Sequence, residues 1–500
     1  MTNILFDALM GSRQGDMRAA LICPDGRRIS HDALFRMSGR LASLLKETGL
    51  RPGDRIAVQV GKSVEALALY LAAVRVGAVF LPLNPAYTPA EVGYFIGDAE
   101  PSLVVCDPDR AGRRDDFMPS GTALLTLAGD GSGSLTDQAA TQPEDHTPAA
   151  RKGSDLAAIL YTSGTTGRSK GAMLSHDNLL SNAQVLVDEW RFDADDVLLH
   201  ALPIFHTHGL FVASNVVLLS GGAMIWLPKF DPDQVIAQLP RATTMMGVPT
   251  FYTRLLDQPG LTRDLVAGMR LFTSGSAPLL ADTHRDFEER TGHRILERYG
   301  MTETNMNSSN PYEGERRAGT VGLPLPGVEL RITEGGKPVT QGEIGMIEVR
   351  GPNVFRGYWR MPEKTAEELS EDGWFTTGDL GQVDGDGYLT IVGRGKDLII
   401  SGGYNIYPKE VEEAIDQLPG VLESAVIGLP HPDLGEGVVA IVARHRGADP
   451  DPQAIIAGLA ERLARFKQPR HVVIVDELPR NAMGKVQKAA LRQDHAGLFD

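Results

Sequence analysis

LYTSGTTGRSKGAMLSHDNL, residues Leu160–Leu179, is the stretch on which the reading of this chain turns. The apolar run before it reads as a strand ending at Tyr161. A loop of Gly, Ser and Thr with one lysine then follows. Its glycines allow positive φ and close approach of the backbone. Consecutive N–H groups in such a turn make a concave anion site. The hydroxyls of Thr162, Ser163, Thr165 and Thr166 and the ammonium of Lys170 add donors, while Gly164 and Gly167 keep the loop open. A Walker A loop would need Gly at Ser169, directly before the lysine, so this is a different phosphate loop. By composition alone the stretch also reads as a flexible connector; the strand in front of it favours the anion site.

Outward from this loop, short β-rich runs alternate with amphipathic stretches. Strands are expected at 55–60, 77–83, 102–106, 156–161, 223–227, 243–247 and 269–273, and a helix at 63–74. Such alternation predicts an α/β fold with a largely parallel sheet and ligands at the carboxyl ends of its strands. Residues 129–155, rich in Gly, Ser, Thr, Asp and Pro, read as a long surface connection. After Gly393 the pattern changes to helix 408–415, strands 424–428 and 438–443, helix 454–465 and strand 471–475. That tail reads as a small separate α+β domain behind a large N-terminal one.

The chain has 500 residues, 42% hydrophobic and 23% charged, with a formal net charge of -15. The length fits two to four domains. The acidic balance argues against nucleic-acid or anionic-membrane partners, and it obliges any anion site to gather positive charge locally. Cys23 and Cys106 lie far apart with no metal-ligand spacing, and read as buried free thiols of a reducing cytosol. The N-terminus has neither a basic n-region nor a long apolar h-region. No apolar run reaches the roughly 20 residues of a membrane span. A cytoplasmic location is the expectation.

Further motifs follow in order: SGSAPL at Ser274–Leu279, YGMTE at Tyr299–Glu303, TGD at Thr377–Asp379, GRGKDLI at Gly393–Ile399 and PRNAMGKVQK at Pro479–Lys488. Together with the phosphate loop they resemble the adenylate-forming superfamily of acyl-CoA synthetases, adenylation domains and luciferases. The resemblance runs over essentially the whole chain. Within the superfamily, HALPIFHTHGLFVASNV, MGVPTFYTRLL, ERYGMTETNMN and GRGKDLIISGGYNIYPKE are similar to bacterial malonyl-CoA synthetases.

The resemblance implies an ATP- and Mg²⁺-dependent ligase that forms an acyl-adenylate and passes the acyl group to coenzyme A. It implies an N-terminal domain over 1–395 and a mobile C-terminal domain over 396–500, turning about Lys396. Tyr299, with Gly300 and Met301 beside it, would stack on adenine, and Gly275, Ser276 and Ala277 would edge that pocket. Thr302 would bind phosphate, and Glu303 would hold Mg²⁺ through oxygen. Asp379 and Arg394 would reach the ribose. Lys485 would contact the acid carboxylate and the leaving pyrophosphate. After rotation, Ser401, Gly402, Gly403 and Tyr404 would line the pantetheine tunnel. Lys485 is also a candidate target for a lysine acetyltransferase and deacetylase.

For the acid, a second carboxylate needs a buried partner. Arg254 in GVPTFYTR is expected to point into the pocket, with His206, Thr207 and Ser276 at its polar end. Met306 would cap its length, and Arg285 is a further cation nearby. Malonate is the expected acid, with methylmalonate or acetate as alternatives. An adenylation enzyme that loads a carrier protein shares every ATP motif. A nucleotide-binding switch would not need both Lys485 and an acid pocket, and a thioesterase would carry a G-x-S-x-G nucleophile elbow, whereas the one match to that pattern, GRSKG at 167–171, belongs to the phosphate loop.

Overall fold

The computed structural model describes residues 2–162, 169–401, 404–460, 462–481 and 484–499. The expected positions Ser163, Gly164, Thr165, Thr166, Gly167, Gly402 and Gly403 lie outside them. Packing divides the chain into two compact units. One takes residues 1–319, 323–329 and 350–375; the other takes 320–322, 330–349 and 376–500.

The first unit holds two sheets, and both are mainly parallel. The six-stranded one runs Ala123–Thr126, Leu103–Cys106, Arg55–Gln59, Val79–Pro82, Leu156–Thr162, Lys170–Ser175, parallel except for its last pair. Its helix Val64–Val76 begins on a Ser63 hydroxyl cap and stops at Gly77, whose φ of 75° suits glycine. Twelve of its thirteen residues are buried, Arg75 included. The Arg75 guanidinium is held by the carbonyls of His146 and Phe35 and lies over the Phe35 ring, so the charge stays solvated by dipoles. His146 belongs to the 129–155 connection, which also carries a short helix, Ser134–Ala139.

The nine-stranded sheet runs Leu323–Pro324, Asn305–Ser309, Leu296–Met301, Leu271–Ser274, Thr244–Gly247, Val197–His200, Ala223–Trp226, Ala19–Ile22, Arg28–Ser30. From Leu296–Met301 to Ala19–Ile22 neighbours are parallel, and antiparallel strands close both edges. The carboxyl ends of four of these strands lead directly into the stretches that carry His206, Arg254, Ser276 and Glu303.

The second unit has a five-stranded sheet in the order Lys337–Pro338, Glu329–Glu334, Gly345–Arg350, Phe375–Val383, Leu389–Arg394. A second sheet joins Tyr404–Ile406, Ile399–Ser401, Gly435–Arg444 and Val421–His431, with His471–Val475 parallel to Gly435–Arg444. The period of two splits that central strand between two cores. Val438, Ala440 and Val442 pack with Ile406, Val411 and Ile415, whereas Val439, Ile441 and Ala443 pack with Ile427, Leu478 and Leu491. The helix expected over 454–465 is shorter and starts earlier, Pro452–Gly458, with Leu459 as its C-cap.

Candidate active site

The phosphate loop joins two antiparallel strands. Thr162 stands opposite Lys170 and Tyr161 opposite Gly171, so a strand follows the motif where a Walker A site would have a helix. The Lys170 ammonium reaches both oxygens of Glu368, at 3.0 and 3.1 Å, and lies 4.1 Å from the centre of the Tyr358 ring. Tyr358 has one hydroxyl hydrogen and two carboxylates to receive it, Glu368 at 2.6 Å and Glu303 at 3.1 Å. Burial and the two carboxylates push its ionisation far up, so it stays a phenol.

Glu303 and Thr302 occupy the turn between Leu296–Met301 and Asn305–Ser309, in which Met301 pairs with Asn305. Tyr299, Gly300 and Met301 end the first strand. A methyl group on Gly300 would lie 1.8 Å from the Asn305 carbonyl oxygen and 2.6 Å from Met306 Cε, so only glycine lets this hairpin close. Met306 is buried, and the Asn182 side chain clamps its backbone through both N–H and C=O. Glu303 is buried and offers a hard carboxylate oxygen. That suits a Mg²⁺ ion arriving with a triphosphate, for which one protein carboxylate suffices. Among the described residues no cluster of three or more His, Cys, Asp or Glu could hold a metal by itself.

Gly275, Ser276 and Ala277 follow the strand Leu271–Ser274. Ser276 has φ +73°, a left-handed backbone uncommon for a residue with a side chain. Its Oγ lies 3.3 Å from His208 Nδ1. His208 opens a seven-residue π-helix, His208–Ser214, directly after the buried Thr207. Wide helical turns of this kind recur at functional sites. Burial, then Arg298, His206 and His200, push His208 well below the usual imidazole range, so it is neutral. With Nδ1 taking the Ser276 hydroxyl proton, Nε2 carries the ring hydrogen, and that buried atom has no partner.

Arg298 is the residue that motif reading passed over. It is 3% exposed, its Nε and one Nη have no hydrogen-bond partner, and it pairs with no carboxylate among the described residues. Burial pushes its guanidinium down to about 9. The group lies against Gly275, where an added methyl would sit 2.4 Å from Cζ, so the absent side chain makes room for the cation. Nearby, Lys62 donates to the His200 carbonyl, 2.7 Å, and its ammonium nitrogen is 2.8 Å from His200 Nδ1. His200 Nε2 meets the Gly209 carbonyl at 2.9 Å. Lys62, His200, His208 and Arg298 thus gather hydrogen-bonding nitrogens inside an acidic chain, while burial works against the charged forms of Lys62 and both imidazoles. The signal in the sequence was an arginine, next to Glu297, in the buried first half of the strand LERYGM, where an unpaired charge is costly without a ligand.

The other two arginines sit differently. The helix Pro249–Leu256 buries Phe251, Tyr252 and Leu255 and leaves Arg254 exposed on its last turn. Arg285 is exposed on the helix Ala281–Thr291 and paired with Asp282, so it is a surface cation and is not brought to the buried cluster.

In the second unit, Asp379 and Arg394 face each other across adjacent strands, with Arg394 Nε 2.7 Å from Asp379 Oδ1. Lys396 lies in the short turn Gly395–Asp397, and Asp397 pairs with Arg492 of the last helix. Ser401 pairs with Tyr404 at the base of a hairpin, and Tyr404 stacks on Phe466. Lys485 closes a tight turn. Its N–H donates to Asn481 Oδ1, its carbonyl accepts from the Asn481 N–H, and Gly484 within the turn has φ 75°. Cys23 and Cys106 are buried and free. No helix among the described residues is long and apolar enough to cross a membrane.

Residues 11–359 match the AMP-binding enzyme family, and residues 410–485 match the AMP-binding enzyme C-terminal domain. The crystal structure of ATP-bound MatB from Rhodopseudomonas palustris is 58% identical, with 100% of both chains covered and a TM-score of 0.98. The malonate–CoA ligase of Arabidopsis thaliana is 34% identical over 98% of this chain and 90% of its own length. A feruloyl-CoA synthase from Amycolatopsis is 37% identical over 94% of both chains.

Proposed function

The chain belongs to the AMP-binding enzyme family and is an AMP-forming acyl-CoA synthetase using ATP and CoA, and we propose that the acid it activates is malonate. One observation carries this reading: the buried Arg298 guanidinium, uncompensated beside His208 and Ser276. A cation left so awaits an anion, and the remote carboxylate of a short diacid supplies one. A monocarboxylic acid offers its only carboxylate to the α-phosphate and leaves Arg298 unpaired.

In the first half-reaction the malonate carboxylate attacks the α-phosphorus, the acyl-adenylate forms and pyrophosphate leaves. Thr302 and Lys170 hold phosphate oxygens, and Glu303 would hold Mg²⁺, which offsets phosphate charge when bound. Tyr299 stacks on adenine, and Asp379 takes the ribose hydroxyls with Arg394 beside it. Lys485 offsets the repulsion between two anions and stabilises charge on the leaving group. In the second half-reaction the CoA thiol attacks the activated carbonyl and AMP leaves. The smaller C-terminal domain, 396–500, turns about Lys396 between the two steps, replacing Lys485 by the hairpin of Ser401 and Tyr404. Acetylation of Lys485 would remove its charge and switch the first step off.

The test is a panel of acetate, propionate, malonate, methylmalonate, succinate and octanoate with ATP, Mg²⁺ and CoA. Malonate is expected to give the highest kcat/KM. A higher value for acetate or octanoate would refute the acid and leave the reaction class standing.

Met306, packed against Gly300, is the expected limit on the size of the acid. Met306→Val should raise methylmalonate use relative to malonate, one methyl in a fitted pocket being worth about 1–3 kcal/mol. An unchanged ratio of the two kcat/KM values would put the side chain outside the acid pocket.

A further inference from the structure

We propose that Glu368 is a built-in competitor for Lys170: it occupies the phosphate-loop ammonium whenever the terminal phosphates are absent, and so promotes departure of pyrophosphate. The proposal rests on the reading of Lys170 as a phosphate ligand. The Lys170 ammonium bonds both Glu368 oxygens, and both side chains are mostly buried, with 18% and 23% of their surface exposed. The pair is therefore less screened than a surface ion pair. Glu368 is also held by Lys364 at 3.0 Å and by the Tyr358 hydroxyl at 2.6 Å. These donors outweigh burial and keep its carboxyl below the usual range, so Glu368 is a fixed anion at neutral pH.

A fixed anion beside a phosphate-binding lysine acts on the nucleotide in two ways, both of one sign. The incoming triphosphate must displace a carboxylate from the ammonium, and it must approach a like charge. Both weaken binding of any ligand that carries β- and γ-phosphates. Both reverse in favour of the enzyme once the α–β bond is broken, because pyrophosphate must be shed before CoA reacts. Lys364 and Tyr358 hold Glu368 in place throughout, so the carboxylate recaptures Lys170 without reorganising. Tyr358 extends the same contact to Glu303, the carboxylate read as the Mg²⁺ ligand.

The experiment compares the KM for ATP, the inhibition constant of pyrophosphate and that of AMP in wild type, Glu368→Gln, Glu368→Asp and Lys170→Ala. Glu368→Gln should lower the ATP and pyrophosphate constants together by roughly three- to tenfold, with AMP changed by less than about twofold. AMP lacks the phosphates that Lys170 holds, so a merely structural role of Glu368 would not separate it from pyrophosphate. Glu368→Asp keeps the charge and should stay near wild type. If glutamine is poorly accommodated, as a thermal melt would show, Glu368→Ala supplies the same readout. ATP and pyrophosphate constants that stay put or rise, while Lys170→Ala still raises the KM for ATP, overturn the role of Glu368 alone. A Lys170→Ala enzyme with unchanged KM for ATP overturns the phosphate-loop reading on which it rests.

Discussion

Lys485→Ala is expected to lose malonate adenylation by about two to three decades or more while keeping thioester formation near the wild-type rate. The two steps have opposite needs. Adenylation drives a carboxylate onto an anionic α-phosphate and expels a second anion, so a positioned ammonium lowers its barrier. Thioester formation joins a thiol to an already activated carbonyl and needs that cation far less. The turn that presents Lys485 is held by bonds from the Lys485 backbone N–H to Asn481 Oδ1 and from the Asn481 N–H to the Lys485 carbonyl, with Gly484 at φ 75°. Removing the lysine side chain leaves both of these bonds in place. The check is a pair of assays: pyrophosphate release with malonate and ATP, and malonyl-CoA formation from chemically supplied malonyl-adenylate and CoA. Equal losses in both would sink the rotating-domain account and point to a fixed site or to misfolding.

Arg298→Met should cost about 3–5 kcal/mol with malonate, the penalty for leaving a buried carboxylate unpaired. At 1.36 kcal/mol per decade that is roughly two to three and a half decades in kcat/KM. Methionine keeps the volume against Gly275 and removes a charge that has no partner in the free protein, so stability should hold or rise. Propionate, with no second carboxylate, reports on the fold of the variant and should lose little. Arg254→Ala, at an exposed position, should lose at most about tenfold with malonate, since water continues to solvate whatever that cation touched. If Arg254→Ala is the more damaging of the two, the acid sits toward the mouth of the site and the assignment to Arg298 is wrong.

The contrast between these arginines shows where sequence reading runs out. Arg254 was legible as a cation near a pocket because GVPTFYTR opens a helix after a strand. Which face that helix buries depends on its phase against its neighbours. Phe251, Tyr252 and Leu255 take the interior, and Arg254 is exposed on the last turn. Arg298 was hidden inside ERYGMTE, directly before the tyrosine read for adenine. Its meaning depends on having no counter-ion, which no linear pattern displays. Tyr358 and Glu368 were missed for a related reason. They lie about 190 residues beyond Lys170, and only the packed unit brings them together.

By itself the sequence determined the fold class, the strand–helix alternation and the anion-binding character of the phosphate loop, and its ordered motifs carried the family resemblance that implied the two half-reactions. The first three rest on local facts: the period of apolar residues, the glycines that only a tight turn or close approach requires, and the residue types that phosphates demand. The tertiary structure alone decided which cation is buried without a partner, which carboxylate holds Lys170, and why Gly275 and Gly300 tolerate no side chain. Those are properties of distance and desolvation. An arginine on a strand has the same formula whether water or protein surrounds it, and only the fold removes the water.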